Sequence, residues 1–232
     1  MPSTIKTALC LAALGLVLPA QAHAQQAYVG EDRAGSIQIK AFLTGVLPDG
    51  EIDEVETDLV GLPAGSDTNV TDRVVPTIAA SYFLTDTLSV ETICCVTPHN
   101  VRGAGALDGA ELIDDAIVLP ATVTLKYHPN LGTAFRPYVG AGPAYFFIFG
   151  EDVGADAAAL GVTDVNLTDE FGFALQAGVD IPLNANGLGL AFDAKRYFID
   201  TTANFNVDDV TAIRTEHTLD PWVLSAGLSY TF

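Results

Sequence analysis

No stretch of this chain comes near the roughly 20 continuous apolar residues that a membrane helix needs, although 49% of its residues are hydrophobic. Basic residues are scarce: 10 Lys and Arg stand against 29 Asp and Glu, giving a formal net charge of -19. Nucleic acid is therefore not an expected partner, because its phosphates would be repelled. Cysteine is nearly absent, with 3 in the whole chain. Cys10 opens an apolar run, whereas a lipidated cysteine would follow one, so no lipid anchor is expected. Cys94 and Cys95 are adjacent in an extended pattern. Their side chains should point to opposite faces, which excludes an ordinary disulfide between them.

Met1 to Ala24 carries Lys6, the apolar run Ala8 to Leu18, Pro19 and the small-residue site Ala22-His23-Ala24. This is the layout of a cleaved secretory signal peptide. Residues 1–24 are expected to be removed, leaving residues 25–232 as one domain. An exported chain that spans a membrane without apolar helices must close its strands into a barrel, since every backbone group in lipid needs a partner.

The closing stretch, LDPWVLSAGLSYTF from Leu219 to Phe232, has the pattern of such a strand. Trp222, Leu224, Ala226, Leu228, Tyr230 and Phe232 fall on one face, and Val223, Ser225, Gly227, Ser229 and Thr231 on the other. The segment from Trp222 to Phe232 would run roughly 33 Å, or about 25 Å along the membrane normal at a barrel strand's tilt. Trp222 is expected to anchor one membrane interface, and Tyr230 and Phe232 the other.

Seven further segments alternate similarly: Gly35 to Leu47, Val74 to Leu84, Leu88 to Thr97, Ala116 to Tyr127, Phe135 to Phe149, Glu170 to Pro182 and Leu188 to Ile199. The expected fold is all-β, an eight-stranded antiparallel transmembrane β-barrel. Three short periplasmic turns and four long extracellular loops would connect the strands. The loops span Pro48 to Arg73, Pro98 to Asp115, Glu151 to Asp169 and Asp200 to His217, with helical turns expected at Ala110-Glu111-Leu112 and Ala155 to Leu160. Pro76 should sit near its strand's start or at a bulge. Gly140, Gly142, Gly172 and Gly178 face inward and are expected to leave space in the lumen.

Several ordered stretches resemble one family: YFLTDTLSVE (Tyr82 to Glu91), TPHN (Thr97 to Asn100), LPATVTLKYH (Leu119 to His128) and FRPYVGAGPAYF (Phe135 to Phe146). LQAGVD (Leu175 to Asp180), FDAKRYFID (Phe192 to Asp200) and the closing Asp220-Pro221-Trp222 with LSYTF continue the series. Together they resemble the OmpW family of small outer-membrane β-barrels (OmpW/AlkL-like) over nearly all of residues 25–232. The acidic first loop departs from any family pattern. The resemblance implies the outer membrane of a Gram-negative bacterium and a narrow hydrophobic lumen that passes small hydrophobic molecules. It also implies lateral exit through the barrel wall, because the periplasmic half is plugged. Outer-membrane lipid and lipopolysaccharide are expected partners, as is the barrel-assembly machinery through the C-terminal strand.

Lys40, Glu91, Arg136, Asp193 and Lys195 fall on inner faces, where unpaired charge is costly. They are expected to form a paired lumen network. Within the first loop, Leu59, Val60 and Leu62 form an apolar patch expected to line the entrance. His99 and His217, with Glu216, share the extracellular end but lack metal-ligand spacing. No metal, cofactor or catalytic site is expected, and the chain does not read as an enzyme. Eight strands exclude a channel of porin width. Two functions remain: passage of small hydrophobic molecules, or a structural or surface-interaction barrel with a filled lumen. In the second, the acidic loops bind cations, lipopolysaccharide or a receptor.

Overall fold

Alternation gives each barrel strand one face for lipid and one for the interior, and ladder pairing then closes the ring. The computed structural model describes residues 33–131 and 135–232; the expected signal peptide, residues 1–24, lies outside the described residues. Eight strands make the barrel: β1 (Ile37–Leu47), β4 (Arg73–Phe83), β5 (Leu88–Cys94), β7 (Glu111–Tyr127), β8 (Arg136–Phe149), β11 (Glu170–Pro182), β12 (Leu188–Phe198) and β15 (Trp222–Thr231). They pair antiparallel in that order, and β15 returns to β1 in register from Gln38–Thr231 to Leu47–Trp222. On β15, Trp222, Leu224, Leu228 and Tyr230 are exposed, while Val223, Ser225 and Ser229 are buried. Pro76 is near the start of β4, opposite Leu43 in unbroken register.

The long connections differ most from expectation, because they are folded. Residues 48–72 contain β2 (Glu51–Asp58) and β3 (Ser66–Val70), and β6 (Thr97–Gly105) turns back into β7. The stretch expected as a helical turn at Ala110-Glu111-Leu112 instead leads into that strand. The third connection holds β9 (Asp152–Val153), helix α1 (Ala155–Ala159) and β10 (Asp164–Leu167). The last is a hairpin of β13 (Asp200–Val207) and β14 (Val210–Thr218). Strands β10, β13, β14 and β2 form a second sheet, while β3 joins β6 and β6 joins β7 to extend the wall.

A physical reason hides these strands in the sequence. Register shifts between Phe205 and Asn206, between Arg214 and Thr215, and between Glu216 and His217 interrupt the period of two. Each shift inserts a residue and re-aims the side chains beyond it. Strand β2, with sequence EIDEVETD, lies at the sheet's edge and is almost wholly exposed, so it needs no apolar face. Together the barrel and the upper strands enclose two apolar clusters. One centres on Val46, Phe146, Tyr197 and Val223, and the other on Val101, Ile113, Leu167 and Phe205.

Candidate functional site

At one level of the barrel the inner faces of five strands each present charge. Lys40 on β1, Glu91 on β5, Lys126 on β7, Asp180 on β11, and Asp193 with Lys195 on β12 are all buried. Three ammonium groups thus face three carboxylates. Glu91 Oε2 accepts from Lys126 Nζ at 2.6 Å and from Ser81 Oγ at 2.9 Å. Its Oε1 accepts from Gln176 Nε2 at 2.7 Å and from Lys195 Nζ at 3.2 Å. Asp193 accepts from Lys195 at 2.7 Å, Tyr138 Oη at 2.7 Å and Gln176 at 2.6 Å. Lys40 Nζ donates to Tyr138 Oη at 3.2 Å and lies 2.9 Å from Asp180 Oδ1, an ion pair without hydrogen-bond geometry. These contacts cross the lumen from β1 to β11 and from β5 to β12, forming a floor. Removing one member of such a buried set typically costs about 3–5 kcal/mol, because a charge is left uncompensated.

Lys40, Glu91, Asp193 and Lys195 come together here. Arg136 stands half-buried at the start of β8, opposite Asp180 in the register. Lys126, Asp180, Tyr138 and Gln176 complete the floor and were not among the candidates, although alternation already sends Lys126 and Asp180 inward. What alternation lacks is the level each residue reaches. The inward glycines also need correction, since they hold no open space. A Cβ on Gly178 would lie 2.4 Å from the Tyr138 ring, and one on Gly140 would lie 2.9 Å from Lys126 Cγ. On Gly142 and Gly172 it would meet backbone carbonyls at 2.0 and 2.7 Å.

Directly above, Tyr197 Oη lies 3.2 Å from Thr122 Oγ1, and its ring meets Phe146 edge-on at 5.1 Å between centroids. Over this pair opens an apolar cavity of about 150 Å³, whose walls include Val46, Leu62, Val118 and Phe205. Of the three residues expected at the entrance, Leu62 lines it, whereas Leu59 and Val60 are 67% and 62% exposed. Asp58 fixes this difference by accepting from the N–H groups of Leu62, Gly61 and Val60 at 2.8, 2.7 and 3.1 Å. Those donors, Leu62's first, hold its carboxyl below the usual value.

His99 and His217 line the same cavity, while Glu216 lies on the opposite face of β14, beside Glu54 in the pairing. Burial pulls both imidazoles below their ordinary value; the Thr71 carbonyl opposes this at His99 and the Gly50 carbonyl at His217. Cys95 is buried against the cavity, Cys94 is half-buried, and no disulfide joins them.

Beside the cavity the wall is interrupted. The β4–β5 ladder stops at Ile78–Cys94, and the edges are next joined by Thr71 N to the Asn100 carbonyl at 3.0 Å. Between those points Arg73 reaches across, with Nε 2.8 Å from the Pro98 carbonyl and Nη2 3.4 Å from Asn100 Oδ1. On the other side, the β5–β7 ladder ends at Ile93–Thr122 and the β6–β7 ladder begins at Thr97–Val118. Pro76, Pro98 and Pro120 fall in these segments, and none has an N–H to donate. At the outer surface, Trp222, Tyr230 and Phe232 are exposed, the last two in edge contact at 4.7 Å, and Arg196 lies 5.6 Å over the Trp222 ring.

Comparison with known proteins adds a common lineage to this geometry. The model of the OmpW family matches residues 33–232. The chain is similar to outer-membrane protein y4mB of Sinorhizobium fredii, 32% identical over 183 residues that cover 79% of this chain and 76% of that protein. It is 28% identical to outer membrane protein W of Vibrio cholerae over 204 residues, 85% of this chain and 89% of the relative. The crystal structure of OprG from Pseudomonas aeruginosa superposes with a TM-score of 0.78 at 29% identity, over 86% of this chain and 97% of that one.

Proposed function

This chain belongs to the OmpW family of outer-membrane β-barrels, and from that premise we propose that it passes small hydrophobic molecules across the outer membrane and releases them sideways through its wall. One observation carries the reading: an apolar cavity of about 150 Å³ ends on the Tyr197 and Phe146 rings, just above the charged floor, and adjoins the interrupted wall. A dry apolar cavity of roughly that volume holds a benzene-sized molecule. Entering it from water is favoured by about 25 cal/mol for each Å² of apolar surface removed from solvent. Continuing downward would mean parting Glu91 from Lys126 and Lys195, at a cost no apolar molecule can offset. The gap in the ladders beside Thr97 to His99 offers a shorter path toward lipid.

Naphthalene uptake into cells with and without the protein tests this proposal. Uptake should rise with expression and fall in Leu62→Ser at unchanged barrel yield, while Leu59→Ser and Val60→Ser have smaller effects. A folded barrel that leaves uptake unchanged favours the surface-interaction reading instead. That reading draws on the outer face of the second sheet, where Glu54, Glu56 and Glu216 crowd together and Arg214 answers them, 2.5 Å from Glu56.

A further inference from the structure

We propose that the upper cavity is a binding site for a small apolar molecule bearing one hydrogen-bond donor, an alcohol or phenol, held by its hydroxyl at His99 Nε2. The inference rests on the transport reading and names the class of molecule within it.

The cavity's polar side chains have almost all spent their protons inside the protein. Thr68 Oγ1 gives its only proton to the Gly50 carbonyl at 2.6 Å, Thr97 donates to the Val118 carbonyl at 3.3 Å, and Thr201 donates to the Thr168 carbonyl at 3.0 Å. Having donated, Thr68 accepts from His217 Nδ1 at 3.1 Å. His217 Nε2 then carries no proton, and the Thr215 hydroxyl donates to it at 2.6 Å. Both nitrogens of His217 are satisfied, and the hydroxyls around it have no proton left for a ligand.

His99 differs. It is 4% exposed and lines the cavity. Its Nδ1 lies 2.7 Å from the Thr71 carbonyl, which can only accept, so the neutral ring carries its proton on Nδ1. Nε2 is thereby left as a lone-pair acceptor, and no hydrogen bond to it is formed among the described residues. A cavity whose threonine protons are spent, and whose His99 Nε2 can only accept, is asymmetric toward its guests. An ether, ketone or ester would set lone pair against lone pair, and a plain hydrocarbon would leave Nε2 unsatisfied. A hydroxyl supplies the donor that Nε2 lacks. The volume suits phenol, which is close to benzene in size.

The test uses the full chain refolded into lipid vesicles, with protein-free vesicles as the partition blank, and compares phenol with benzene. Wild type should bind both, and the His99 Nε2 nitrogen resonance should move with phenol and stay still with benzene. His99→Leu should lose roughly tenfold in phenol affinity with benzene unchanged, and His99→Gln, which restores an acceptor oxygen, should recover part of the loss. Should phenol bind without moving the resonance, or equally well to wild type and to a heat-modifiable His99→Leu barrel, the hydroxyl assignment is overturned while the transport reading stands. If neither molecule binds wild type, the transport reading fails and takes this assignment with it.

Discussion

Along β12 the inner face reads Asp193, Lys195, Tyr197, and along β5 it reads Glu91 and Ile93, with Cys95 just beyond, so a step or two separates the charged half of the lumen from the apolar half. The same strands build both halves, yet they close and open for different reasons. Below, opposite charges and hydrogen bonds fill the cross-section, and each member depends on the others. Above, side chains of similar burial carry no charge and leave a cavity beside a weakened wall. The difference teaches that backbone architecture sets only direction and level in this barrel, while the residue at each inner position decides whether that level is sealed.

The strongest way to break this comparison is to remove the centre of the floor. Glu91→Ala leaves Lys126 and Lys195 without their shared carboxylate and should cost about 3–5 kcal/mol in the urea midpoint of refolding into bilayers. A loss no larger than that of Val118→Ala in the cavity would mean that the floor is not held by ion pairing. Gly178→Ala should cost about 1–3 kcal/mol in the same assay, because the new methyl displaces the Tyr138 ring that bonds Asp193 and Lys40. Gly61→Ala has open space around it and no such neighbour. It serves as the strain control, since its φ of +80° disfavours any side chain.

The upper half should show its own pH dependence. His99 and His217 have imidazoles lowered by burial, so below the ordinary value of 6.5 the unfolded chain takes up protons that the folded one refuses. Stability contributed by these groups is therefore full above 6.5 and falls as the pH drops toward their folded values. Replacing both histidines with glutamine should flatten this part of a stability profile measured between pH 7 and pH 5. The smallest effect is expected at Arg73. Arg73→Ala should cost under about 1 kcal/mol, as a partly exposed contact does, while speeding release of naphthalene into lipid, since it removes the side chain that bridges the gap in the ladder.

How much of this was legible in the sequence varies with what holds each part. Strand β11 has the bounds its alternation gives, Glu170 to Pro182, because lipid on one side and packed lumen on the other enforce a period of two. Strands β2, β13 and β14 escaped because an edge position and register shifts relieve them of that constraint. In the floor, the inward direction of Lys126 and Asp180 was visible and their shared height was not. Height depends on how neighbouring strands stagger, which no single strand encodes. Leu59, Val60 and Leu62 looked alike as a patch, and the Asp58 turn that separates them is a matter of three backbone bonds.

The central claim is that apolar molecules leave above the floor and never cross it. Its most direct test is naphthalene transfer into vesicles carrying the refolded barrel, read beside the ion conductance of the same protein in planar bilayers, with Val118→Trp filling the cavity. Transfer should occur without measurable conductance and be abolished by Val118→Trp in a barrel that still folds. Conductance that rises with transfer, or transfer undiminished in Val118→Trp, would contradict it.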